Sequence, residues 1–235
     1  MNSTSVFKPS VTEKQKFMAR TYMWMGFALI LSSLAAFFTA GYVSQLFESQ
    51  QVQAANTLFM IIKVCGIAEL VLVFVLSLSL KKISYAGAAF MFIVYSMING
   101  ITLSSIFFLF DVTSIAFCFG GAAIMFIFMS IYGMVTKQSL AKAGHYLMMA
   151  VVGIIIVSLI NFLMRSSTLD WLISIVTVVV FTGLTAYDSQ KILITAQRAN
   201  SSEAYKKISI IGALELYLDF INIFLSLLRL FGRKK

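Results

Sequence analysis

Apolar side chains fall along this chain in long unbroken runs separated by short polar breaks, and the length of the runs says what they are. A helix needs around 20 mostly apolar residues to cross the hydrocarbon core of a bilayer. Seven segments qualify, at 22–47, 57–80, 84–110, 113–135, 143–165, 168–190 and 208–231. They lack the two-residue alternation of a barrel strand, so they predict helices. Pro9 is the sole proline, so no span carries a proline break and each can satisfy its backbone internally in lipid. Connections are short, and neither a linker nor an internal repeat interrupts them. The expected organisation is a polar cytoplasmic N-terminal tail, residues 1–20, followed by a single all-α transmembrane domain over residues 21–235.

Composition agrees with this pattern. Hydrophobic residues make up 60% of the chain and charged ones 11%, against roughly 45–50% and about 25% in a soluble domain. In water the surplus would form aggregating patches, which lipid removes. The net charge of +9 could point to nucleic acid, but the basic residues flank the apolar runs: Lys8, Lys14, Lys16 and Arg20, then Lys81 and Lys82, Lys137 and Lys142, and finally Arg229, Arg233, Lys234 and Lys235. That placement marks headgroup contact and topology, not a phosphate-binding face. Loops alternate between basic and uncharged, which puts the N-terminus in the cytoplasm. Seven crossings then put the C-terminus outside, while Arg233-Lys234-Lys235 argues for inside, so either the tail is an exception or one late segment is re-entrant. The first run exceeds the 7–15-residue core of a signal peptide and follows polar residues, so it is expected to stay as a span. Cys65 and Cys118 lie inside apolar runs and His145 is the one histidine. They form no zinc spacing or disulfide framework, and no cofactor is expected. His145, at a span boundary, reads as a solvated interfacial side chain.

Charges that remain inside the spans are expensive, at least ~2.5–3.5 kcal/mol near the bilayer centre on insertion scales, and so are functional candidates. Five stand out: Lys63, Glu69, Asp188, Glu215 and Asp219. Arg165 and Arg229 lie near span ends, where long side chains snorkel. On the last span Gly212, Glu215, Asp219, Asn222 and Ser226 follow at steps of three and four and form one polar stripe. Asp188 closes the sixth span, with Thr185 three residues earlier on its face. Two antiparallel helices joined by one short loop can bring Asp188 and Asp219 together. If they meet out of water they cannot both ionise cheaply, so they share a proton and sense pH. Deprotonated, they offer hard oxygens to a cation such as Ca²⁺, with Asn222, carbonyls or water completing its shell. Lys63 is a candidate latch for Asp188, and the alternative is an ion-pair cluster that only fixes helix register. An intramembrane aspartyl protease also carries paired aspartates, one after a tyrosine as in Tyr187-Asp188. Asp219 lacks the glycine-flanked setting, however, and no Pro-Ala-Leu segment exists, so no enzyme activity is expected.

The most specific stretch is Ala213-Leu-Glu-Leu-Tyr-Leu-Asp-Phe-Ile-Asn-Ile-Phe224 with Leu227-Leu-Arg-Leu-Phe-Gly232. It is supported by Thr21-Tyr-Met-Trp-Met-Gly-Phe-Ala-Leu29, Asn99-Gly-Ile-Thr-Leu-Ser104, Tyr132-Gly-Met-Val-Thr-Lys137 and Thr185-Ala-Tyr-Asp-Ser-Gln190. In order and spacing these resemble the Bax inhibitor-1 (transmembrane BAX inhibitor motif) family, bacterial YccA/YetJ-type members included, along nearly the whole chain. The resemblance implies seven transmembrane helices, six surrounding a central C-terminal helix, in a multi-pass protein of the bacterial inner (plasma) membrane. It also implies a pH-sensitive Ca²⁺ leak channel gated by Asp188 and Asp219. In the channel members an arginine on the second helix pairs with the first aspartate. The nearest basic residue here is Lys63, which lacks arginine's bidentate fork. Glu69 and Glu215 are further acids that would bind ions or tune the pair. YccA-type members look instead like modulators of FtsH, a membrane-anchored AAA protease. For this chain that makes the protease the alternative partner to the lipid bilayer and a permeating cation.

Overall fold

The computed structural model describes residues 11–54, 56–62, 64–65, 69, 83–197 and 202–235. Among these the long elements are all helical: α1 Val11–Glu48, α2 Val52–Ile62, α3 Tyr85–Leu103, α4 Val112–Val135, α5 Ala141–Met164, α6 Ser167–Ala196 and α7 Ser202–Phe231. A single helical turn, Ile106–Leu109, follows α3. Six of the helices are long and apolar enough to cross a membrane. The expected second span, 57–80, lies largely outside the described residues.

Helix ends depart from the apolar runs for a physical reason. α1 has 38 residues, about 57 Å at 1.5 Å per residue, nearly twice a hydrocarbon core of ~30 Å. Its first turns, within the expected polar tail, therefore continue as helix beyond the lipid. They pack on the equally overhanging start of α7. The rings of Phe17 and Tyr205 lie 4.7 Å apart, Tyr205 OH donates to the Glu13 carbonyl at 3.0 Å, and Thr21 Oγ1 donates to Ser209 Oγ at 3.2 Å.

These contacts make α1 and α7 parallel, with the start of α1 and the end of α7 at opposite ends of the bundle. α3 also runs parallel to α1, with Gly100 set against Ser32 and Ala35. The C-terminal tail lies against the α3–α4 connection. Asp111 N donates to the Arg233 carbonyl at 3.0 Å, Lys235 N donates to the Leu109 carbonyl at 3.1 Å, and Arg233 Nε stands 3.7 Å from Asp111 Oδ2. The basic tail therefore sits at the end of the bundle opposite the start of α1, with Arg233 partnered by Asp111.

α7 occupies the middle, packed against α1, α3, α4 and α6. Ala213, Leu216, Tyr217 and Ile223 have no exposed surface. α5 is peripheral: it leans on α6 and buries only Gly144 and Asn161. Close approach of neighbours depends on two glycines. A Cβ on Gly100 of α3 would strike the Ser32 backbone of α1, and one on Gly133 of α4 would strike the Ala186 carbonyl of α6. Small residues let backbones meet in lipid, where packing replaces the hydrophobic drive between helices.

Gly133→Ala is therefore expected to lower the thermal midpoint of the purified protein by several degrees, since overpacking against backbone costs about 1–3 kcal/mol. Gly120→Ala, where the added methyl meets open space, is expected not to lower it. Thermal unfolding in detergent compares the two directly, and equal midpoints for both variants would discount the Gly133 contact.

Candidate functional site

The interface between α6 and α7 carries the charged centre of the bundle. Asp188 and Lys191 sit three residues apart on α6, and Glu215 and Asp219 four apart on α7, so each pair shares a helix face. Asp188 is 8% exposed and Asp219 3%. Lys191 Nζ lies 3.3 Å from Asp188 Oδ1 and 2.7 Å from Glu215 Oε1, so one ammonium bridges carboxylates on both helices. It also stands 5.7 Å from the centre of the Tyr187 ring. Asp219 lies within electrostatic reach of Asp188, Glu215 and Lys191, with Thr185 facing it. Its Oδ2 is buried and has no hydrogen-bond partner among the described residues.

The register works because α7 begins about two turns beyond the end of α6. Asp188 lies eight residues before Ala196 and Asp219 seventeen after Ser202, depths that would miss each other if both helices started level. The overhang cancels the difference. The backbone around Asp188 is pinned from two sides: Ala186 sits under Gly133, and Ser189 Oγ bonds Ser130 Oγ at 2.8 Å, with Ser130 in turn bonded to the Tyr22 hydroxyl. α1, α4 and α6 are thereby tied together one turn from the acids.

Of the candidates drawn from the sequence, Asp188, Glu215 and Asp219 come together here. Asn222 donates its amide to the Leu218 carbonyl of its own helix at 2.8 Å and stays apart. Glu69 is buried elsewhere: its Oε2 accepts from Asn99 Nδ2 at 3.3 Å, and its Oε1 has no hydrogen-bond partner among the described residues. Lys63 lies outside the described residues. His145 is exposed at the start of α5 and Cys118 is buried. Among the described residues no set of three His, Cys, Asp or Glu side chains is arranged to hold a metal ion.

Two features escaped the sequence reading. Lys191 lies just past the sixth apolar run, 168–190, and so outside the span that the apolar pattern bounds, although its i,i+3 spacing from Asp188 is a usable signal. Tyr217 organises a separate polar network about 200° around α7 from Asp219. Its hydroxyl donates to Asn99 Oδ1 at 2.7 Å and lies 2.6 Å from Ser32 Oγ, which joins α1, α3 and α7.

Comparison with known proteins places this geometry. The family model for the inhibitor of apoptosis-promoting Bax1 matches residues 14–235. The chain belongs to this Bax inhibitor-1 family. Among relatives, the inner membrane protein YbhL of Escherichia coli (strain K12) is 41% identical over 223 residues, covering 94% of this chain and 93% of YbhL. A protein of Borreliella burgdorferi is 40% identical over 232 residues, covering 97% and 96%, and one of Deinococcus radiodurans is 37% identical over 221 residues. The seven-helix, multi-pass architecture in a bacterial inner membrane agrees with these likenesses.

Removing the ammonium leaves carboxylates facing one another. Lys191→Met is expected to destabilise the protein by about 1–2 kcal/mol, less than the 3–5 kcal/mol of a fully enclosed pair because Lys191 is 39% exposed. Adding Glu215→Gln should restore part of that loss. A double-mutant cycle of detergent unfolding measures the coupling, and strict additivity would show that the bridge contributes nothing.

Proposed function

We propose that this Bax inhibitor-1 family protein is a pH-sensitive cation leak, with Ca²⁺ as the leading ion, and that Asp188 and Asp219 are its proton-holding and ion-binding pair. The observation that carries the reading is a charge imbalance. Three carboxylates and one ammonium share the α6–α7 interface, and the ammonium is spent on Asp188 and Glu215. Asp219, buried beside them, has no ion-pair partner among the described residues and receives only the longer-range field of Lys191. A buried carboxylate in that position needs either a proton or a cation.

Thr185, which faces Asp219, is a neutral hydroxyl that also serves the Phe181 carbonyl of its own helix at 2.8 Å, so it does not take the place of a counter-charge. Loss of the proton from Asp219 leaves an excess of negative charge, and a hard cation becomes the alternative occupant. Ca²⁺ accepts six to eight oxygens, more than these carboxylates supply at once, so carbonyls and water complete its shell. Binding is therefore transient, as permeation demands. Lys191 takes the latch position beside Asp188 that the resemblance gives to a cation on the second helix.

Ca²⁺ efflux from proteoliposomes across the neutral pH range tests this. The native protein is expected to pass Ca²⁺ at a pH-dependent rate, and Asp188→Asn and Asp219→Asn are each expected to abolish the dependence. An unchanged pH profile in both variants would reject the pair as the sensor, and native protein that passes no cation at any pH would reject the channel.

A further inference from the structure

The end of the bundle away from the acid cluster holds a second charged feature. α5, α6 and α7 enclose a groove of about 380 Å³ lined by Asn161, Phe162, Arg165, Asp170, Ile173 and Arg229. Asp170 precedes Asp188 by eighteen residues on α6, so the groove lies about 27 Å along the helix from the acids. Its rim is built, not incidental. Arg165 ends α5 in the left-handed conformation, φ 54°, with its N–H donating to the Asn161 carbonyl at 2.7 Å. Asn161 fixes the turn through both ends of its amide: Oδ1 accepts from Ser166 N at 3.0 Å, and Nδ2 donates to Asp170 Oδ1 at 2.6 Å.

The groove's one carboxylate is thus held by an amide, while two guanidiniums line the same space. The ion pairs among the described residues involve Lys191 and Arg233. Neither Arg165 nor Arg229 reaches a carboxylate within salt-bridge distance, although Arg229 feels the field of Asp170. Two cationic forks against one carboxylate leave a surplus of one positive charge. That matches a phosphodiester monoanion, which guanidinium binds in bidentate fashion. The surroundings indicate where the anion comes from. Phe162, Leu163 and Leu172 beside the groove are 78%, 81% and 46% exposed, an apolar wall that faces acyl chains, and the groove sits at the helix ends, where headgroups lie.

We infer that this groove binds the phosphate of an anionic membrane phospholipid between Arg165 and Arg229. The bound lipid clamps the ends of α5, α6 and α7. Native mass spectrometry of the full chain in detergent, titrated with phosphatidylglycerol or with zwitterionic phosphatidylcholine, tests it. Phosphatidylglycerol is expected to be retained preferentially, and Arg165→Gln and Arg229→Gln are each expected to weaken it about fivefold. Arg229→Lys should keep part of the binding, and Lys142→Gln, at the opposite end of α5, should keep all of it. The thermal midpoint of each variant identifies any that misfolds, in which case the other arginine decides. Equal retention of the two lipids, or native-level retention by a folded glutamine variant, overturns the site. Binding of inorganic phosphate without any lipid preference overturns the lipid assignment.

Discussion

An ionised carboxylate enclosed by helices persists only while something neutralises it, and much of this bundle is arranged around that requirement. Lys191 satisfies it for Asp188 and Glu215 by reaching both at 3.3 and 2.7 Å. Asp219 has no such partner among the described residues. The supporting contacts hold this imbalance in place: Gly133 lets α4 close on the Ala186 backbone, and the chain of hydroxyls from Tyr22 through Ser130 to Ser189 fastens α6 to α1 and α4.

The central helix resolves two demands through its two faces. One face, with Glu215 and Asp219, meets α6 and carries charge. The other presents Tyr217 to Asn99 and Ser32 and carries only neutral hydrogen bonds. Neutral pairs cost little to bury when satisfied, so the second face can serve as a rigid seat for the charged one. The Phe92 and Tyr95 rings, each set edge-on to Tyr217 at about 6 Å, add a packed aromatic layer to that seat.

Much of the fold was legible because the bilayer imposes a length on each span, and seven apolar runs of the right length could hardly be anything else. The ends were not legible, since counting apolar residues stops where lipid stops. α1 continues to Val11 and α6 to Ala196 as ordinary helix in a polar setting. That same blindness hid Lys191, which looked like a loop residue because it follows the apolar run. It also left the depths of Asp188 and Asp219 mismatched on paper until the overhang of α7 supplied the missing two turns. Tyr217 and Asn99 could not be singled out at all. Uncharged polar side chains are tolerated widely inside membranes, and their partners come from helices distant in sequence.

The position of α7 also bears on how the protein is made. A ribosome releases α7 after α1 to α6, so the earlier helices enter the bilayer before the element that they enclose exists. They cannot adopt the packing around α7 until that helix has been made. The residues that follow it, bonded to the α3–α4 turn through Asp111, Leu109 and Arg233, then hold the central helix against elements inserted well before it.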